Sequence, residues 1–206
     1  MRPSRFPERR LLAGVAGVLL LAAPPARSSG QQAPPDEALA SGFLKLAGLT
    51  SGEDAVTLSE AEANALLAAE PAAGWLLAET GLRNVRVRFF SGQAHFVGAM
   101  AGDRMLPALG PLLGAAPGED HPVELTFSLA GADGVGRGGI DRGSLAGLEL
   151  PPDLLRELVL EGLAALTSVP EEVRSAIRAG TPFPLPYRLE TIEVRHGEVR
   201  LTPRGP

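Results

Sequence analysis

Val123, Leu125, Phe127 and Leu129 alternate with Glu124, Thr126, Ser128 and Ala130, and Ala132-Asp133-Gly134 follows at once. This pattern constrains the fold more than any other stretch of the chain. Successive side chains of an extended segment point to opposite faces, so an apolar residue at every second position makes a strand with one buried face. Asp-Gly then reverses the chain within two residues and brings the next strand back antiparallel. That return, residues 136–143, is rich in glycine, which places it at an edge or in a bulge. Two more hairpins share the pattern. Val85, Val87 and Phe89 alternate with Arg86, Arg88 and Phe90, Ser91-Gly92 turns the chain, and residues 94–100 run back. Near the end, residues 191–195 and 198–201 flank His196-Gly197, so that Ile192 and Val194 can face Val199 and Leu201.

Helical text lies around these hairpins. Residues 36–46 carry Leu39, Phe43 and Leu46 on one stripe. Val56 to Leu58 is a short strand-prone entry to a second helix, where Ser59 and Glu62 form a capping box and Ala63, Leu66 and Leu67 face inward until Pro71. Pro151 and Pro152 open a third helix, since the missing N–H costs nothing in the first turn. Leu154, Leu155, Leu158, Val159, Leu163 and Leu166 form its apolar face, with Asp153, Arg156, Glu157 and Glu161 opposite. Ser168 and Glu171 cap a fourth helix with Val169, Val173 and Ile177 inward and Gly180 at its end. In residues 181–187, prolines at 182, 184 and 186 remove every second backbone donor. That segment cannot be a central strand, and Phe183, Leu185 and Tyr187 point largely one way. The expected fold is therefore α+β: an antiparallel sheet of about six strands, flat or curved, with the helix pair of residues 151–179 packed on one face.

The N-terminus reads as a secretory signal peptide. Arg2, Arg5, Arg9 and Arg10 precede thirteen apolar and small residues, 11–23, followed by Pro24, Pro25 and the small-residue pattern Ala26-Arg27-Ser28. As a helix that run spans ~20 Å at about 1.5 Å per residue, short of the ~30 Å hydrocarbon core. Cleavage after Ser28 is the expectation, and retention of residues 11–23 as a membrane anchor is the alternative. Residues 29–35 then form a polar, proline-rich tether, and 36–206 a single domain. Removing residues 1–28 takes five arginines and one glutamate with it, leaving 14 basic against 23 acidic side chains, a formal charge of −9. So acidic a surface repels phosphate backbones, which argues against nucleic-acid binding. The chain has no cysteine, hence no disulfide framework, thiolate metal site or lipoprotein anchor.

No catalytic or metal-ligating constellation stands out, and no cofactor is implied. Gly134, Gly136 and Gly139 match a dinucleotide fingerprint by letter, but strand-like text follows where a helix is needed. His95, His121 and His196 share no metal-ligand spacing, and Glu119-Asp120-His121 sits in a loop with its side chains diverging. Ser144 lacks the glycine pattern of a nucleophile turn. Glu157 and Glu161, one helical turn apart, read as a solvated helix face before an acid–base pair. What is unusual is apolar. The 154–166 helix face, the leucines of the 102–118 connection and the Phe183-Leu185-Tyr187 triplet exceed the need of one sheet face. They make either an ordinary core or a groove for an acyl chain lined by Leu154, Leu158, Leu163, Phe183, Leu185 and Tyr187.

Three phrases carry a resemblance. VTLSEAEANALLA (56–68), GLELPPDLLRELV (147–159) and PFPLPYRLETIEVRHGEVRL (182–201) resemble, in this order, the recurrent motifs of a group of uncharacterised exported bacterial proteins. Ala63 departs from the leucine usual in the first motif. At a greater distance the layout is similar to bacterial TULIP-like lipid-binding domains, in which a curved antiparallel sheet wraps a long helix. The resemblance implies that fold and an envelope location, and carries over no ligand residue. The expected function is a non-enzymatic protein of the periplasm or exterior that binds a lipid-like, apolar ligand. The alternatives are an assembly factor docking an envelope protein and, third, a hydrolase with an unfamiliar site.

Overall fold

The computed structural model describes residues 35–51, 55–69, 82–102, 118–156, 171–185 and 188–205. The leader, the connection through 103–117 and residues 157–170 lie outside them. Among the described residues no helix is long and apolar enough to cross a membrane.

The fold is α+β, an open antiparallel sheet with a few helices. In chain order the elements are α1 (Pro35–Ser51), β1 (Val56–Ser59), α2 (Glu60–Ala69), β2 (Leu82–Phe90), β3 (Gln93–Ala101), β4 (Asp120–Ala132), β5 (Val135–Leu145), β6 (Leu148–Glu149), α3 (Glu171–Ala179), β7 (Phe183–Pro184), β8 (Leu189–Arg195) and β9 (Glu198–Pro203). A helix also opens at Pro152, as its prolines predict, with the Leu155 N–H bonded to the Pro151 carbonyl at 3.0 Å.

Among the described residues the sheet has nine strands, where the alternation predicts about six. The three additions, β1, β6 and β7, are two to four residues long. So short a strand shows no period of two, and its pairing is decided by what the neighbouring chain brings beside it. The order runs β1-β9-β8-β4-β3-β2, with β5 on the other edge of β4 and β6 and β7 at the two ends of β5. All three predicted hairpins form. Asp133 (φ 53) and Gly134 (φ 74) make the two left-handed positions of the β4–β5 turn. Val194 faces Val199 and Ile192 faces Leu201. The glycine-rich return is bulged as expected, with Asp141 the extra residue between the Thr126–Arg142 and Phe127–Ile140 pairs.

β4 is long enough to hold two neighbours on one edge, β3 along residues 120–128 and β8 at 130–131. The β2–β3 turn is wedged at the change-over, where the Gly92 N–H bonds to the Val194 carbonyl at 2.9 Å. Both halves of the sheet thus contribute to one core, in which Phe89, Phe96, Phe127, Leu58 and Ile192 are almost wholly inaccessible. Each such side chain contributes roughly 1.5–3 kcal/mol of burial.

Helix packing also differs from the expectation of a single pair at 151–179. The described helix pair is α1 on α2, where Gly42 lets the backbones approach: a Cβ there would lie 2.9 Å from Leu66. The buried stripe of α1 is Ala38, Gly42, Leu46 and Leu49; Leu46 lies on it as predicted, Leu39 is half-buried against the core, and Phe43 is exposed. Contact with α2 selects small residues for that face, which a search for large apolar residues overlooks. α3 places Val173 and Ile177 in the core as predicted and ends at Gly180 with paired bonds from Gly180 and Thr181 to the Ile177 and Ala176 carbonyls.

Candidate functional site

β5 presents glycine to the core at 136 and 143, and the apolar side chains of Leu155, Phe183 and Leu185 land on them. A Cβ at Gly143 would lie 2.7 Å from Leu155, and one at Gly136 would lie 2.6 Å from the Phe183 ring and 2.7 Å from Leu185. A Cβ at Gly131 of β4 would again meet Leu185, at 2.8 Å. The seam is therefore side chain against bare backbone. Among the described residues its hydrogen bonds lie at the Gly136 end, where β7 pairs with Val135 and Gly136 and the Leu185 N–H reaches the Gly134 carbonyl at 2.9 Å, while the Gly143 carbonyl accepts from the Leu150 N–H at 2.9 Å just before the segment begins.

Of the predicted groove residues, Phe183 and Leu185 pack on the glycines of this seam. Phe183 and Leu185 are buried in the core cluster and Leu154 is half-buried at the helix start. Leu158, Leu163 and Tyr187 lie outside the described residues, as do Glu157 and Glu161. Sequence reasoning placed the apolar side chains but missed their partner surface. The glycine run predicts an edge or a bulge, and in the fold Gly136 and Gly143 also provide the clearance that the covering side chains need.

The opposite face of the sheet carries a polar cleft that motif reasoning did not assemble. His95 from β3, Glu124 and Thr126 from β4, Arg142 and Ser144 from β5 and Glu149 from β6 line a volume of about 250 Å³. Register explains the grouping: His95 pairs with Thr126 and Thr126 with Arg142, while Glu124 pairs with Ser144 and Ser144 with Glu149. Burial holds the His95 imidazole below its ordinary value, Glu124 pulls it upward, and Arg142 and Arg88 add to the lowering. His95 Nε2 stands 4.0 Å from Glu124, and the Ser144 hydroxyl has no hydrogen bond among the described residues.

The remaining motifs take structural places. Gly134 to Gly139 is a hairpin turn running into β5. Asp120 is ion-paired with Arg83 at 3.3 Å, and His196 lies edge-on to Phe90 in its turn. His121 Nε2 is buried without a partner among the described residues. Among those residues no three His, Asp or Glu side chains converge as a metal site would need. No protein-family model, curated protein or solved structure matches this chain.

Proposed function

We propose that this chain is an exported, non-catalytic binding protein whose ligand is apolar, an acyl chain or a molecule of similar shape, held between the sheet and the segment that begins at Pro151. The observation that carries this reading is the glycine-cleared seam. Among the described residues the covering segment packs Leu155 on Gly143 and Phe183 and Leu185 on Gly136, and its backbone pairs with β5 only at Val135 and Gly136, so no continuous ladder of hydrogen bonds runs along it. An apolar contact of this kind parts to admit another apolar body without leaving backbone groups unpaired, which a strand-to-strand junction does not. Each buried methylene contributes roughly 0.8 kcal/mol, so six give ~5 kcal/mol before ordering costs. The export half of the proposal rests on the basic, apolar and small-residue order of residues 1–28.

The test is organic extraction of the full-length protein after expression with its own leader, followed by mass spectrometry, together with uptake of a fluorescent fatty-acyl probe. A stoichiometric co-purified lipid, or saturable uptake that Leu158→Trp abolishes with the fold intact and that salt does not alter, is the expected result. No extracted lipid and no uptake by the wild type would show that the seam is core, and would favour docking of a protein segment.

A further inference from the structure

The polar cleft lies on the face turned away from the apolar seam. Leu125, Phe127 and Leu145 point to the core, and Glu124, Thr126 and Ser144 alternate to the other side. Its volume of about 250 Å³ falls below the ~300 Å³ at which drug-sized sites begin. The fit is to a metabolite of few heavy atoms.

Among the described residues the charges of the cleft are largely unpaired. The Arg142 guanidinium has one bond among the described residues, from Nε to the Thr126 hydroxyl at 3.4 Å, and no ion pair. Glu149 has no partner among those residues, and Glu124 has only the 4.0 Å approach of His95. Register separates the two signs. Glu124, Ser144 and Glu149 form one cross-strand row, and His95, Thr126 and Arg142 form the row two residues along. Two residues of strand are ~7 Å. A ligand with negative charge alone meets two carboxylates, and one with positive charge alone meets the guanidinium. A molecule bearing both charges a few atoms apart satisfies both rows.

We propose that this cleft binds a small zwitterion carrying a primary ammonium and a carboxylate or phosphate. Arg142 takes the anionic end, Glu124 and Glu149 take the ammonium, and the Thr126 and Ser144 hydroxyls hydrogen-bond between them. A free amino acid and a phosphoethanolamine group share this chemistry. The inference is independent of the apolar ligand.

Calorimetric titration of the full chain with L-alanine and with O-phosphoethanolamine, against acetate, inorganic phosphate and ethylamine, tests it. At least one zwitterion should bind, and each single-charge compound should bind about tenfold or more weakly. Binding of alanine alone assigns the site to amino acids, and binding of phosphoethanolamine alone assigns it to that headgroup. Arg142→Gln and Glu149→Gln, both at exposed positions, should each weaken binding about tenfold with the melting curve unchanged, and Leu158→Trp should leave it unaltered. The proposal is overturned if neither zwitterion binds at millimolar concentration, if the single-charge compounds bind equally well, or if both charge-removing variants bind as the wild type does.

Discussion

The ammonium of Lys45 donates to Glu62 Oε2 at 2.8 Å and to the Thr57 carbonyl at 2.8 Å, and stands 2.7 Å from Glu62 Oε1 as an ion pair. Lys45 is the single lysine of a chain with eighteen arginines. Read as composition, that count reflects coding bias; read in the fold, it has a reason. Glu62 is the N3 residue of the α2 capping box, accepting from the Ser59 N–H at 2.8 Å while its own N–H reaches the Ser59 hydroxyl at 3.3 Å. Ser41 of α1 donates to the same carboxylate. A compact ammonium satisfies three acceptors drawn from two directions, whereas a planar guanidinium fork fits one carboxylate edge. One charged cluster thus ties α1, β1 and the start of α2 together.

Lys45→Met should destabilise the protein by about 2 kcal/mol. Removing one member of a fully buried pair costs roughly 3–5 kcal/mol, but the Lys45 side chain is 39 % exposed while that of Glu62 is 8 % exposed, so the water-screened end lowers the figure. Lys45→Arg should recover part of the loss. Urea denaturation at neutral pH measures both, and a Lys45→Met midpoint equal to wild type would remove the cluster from the account of stability.

The same cluster sets an acid limb. Burial pushes the Glu62 carboxyl upward, and hydrogen bonds from Lys45, Ser41 and Ser59 outweigh it, bringing it from 4.5 to about 2. A carboxyl depressed in the folded state binds its proton more readily in the unfolded chain. Its contribution is therefore complete above pH 4.5 and is lost as pH falls toward 2. At pH 7 it is worth up to about 3 kcal/mol. The stability difference between wild type and Glu62→Gln should narrow steadily between pH 5 and pH 2. A difference that stays constant over that interval would mean that Glu62 titrates normally.

Asn64 closes the free edge of β2. Its amide oxygen accepts from the Val87 N–H at 2.7 Å and its amide nitrogen donates to the Val87 carbonyl at 2.9 Å, while Glu60 accepts from the Phe89 N–H at 2.7 Å. Helix α2 thereby stands in for a further strand with side chains in place of backbone. Asn64→Leu leaves both Val87 groups without these partners and should cost about 2–3 kcal/mol. Hydrogen exchange should show the Val87 amide losing protection ahead of the β3 and β4 amides. Unchanged protection at Val87 would count against the clamp.

The parts of the fold that were legible in the sequence are those whose residues carry the information locally. Alternation at 123–129, left-handed turn residues at Asp133-Gly134 and Gly197, the Ser59–Glu62 box and the Gly180 stop all lie within a few residues of the element they define. The illegible parts depend on a partner remote in sequence. β7 is a strand because β5 lies beside it, and Gly42 faces inward because Leu66 fills the space above it. The polar cleft unites residues 95, 124–126, 142–144 and 149 through strand register, which no spacing along the chain announces. For the apolar site, Phe183 and Leu185 were legible as inward-facing, and the glycine surface that receives them was not.

Two glycines four residues apart in β5 give the sharpest comparison. A Cβ at Gly143 would lie 2.7 and 2.9 Å from the Leu155 methyls and 3.2 Å from the Glu124 carbonyl, whereas one at Gly139 would meet nothing within 4 Å. Neither residue has positive φ, so conformational strain does not separate them. Gly139→Ala should be neutral or stabilising by about 0.5 kcal/mol, because alanine restricts the unfolded chain. Gly143→Ala should destabilise by about 1–3 kcal/mol, because the seam has no room for a methyl without displacing Leu155. Removing the colliding side chain should relieve the clash, so Gly143→Ala combined with Leu155→Ala should cost less than the two variants added together. If the seam also admits an acyl chain, Gly143→Ala should weaken probe uptake, and Gly139→Ala should not. Equal effects of the two alanines on stability would show that clearance along β5 is not what its glycines provide.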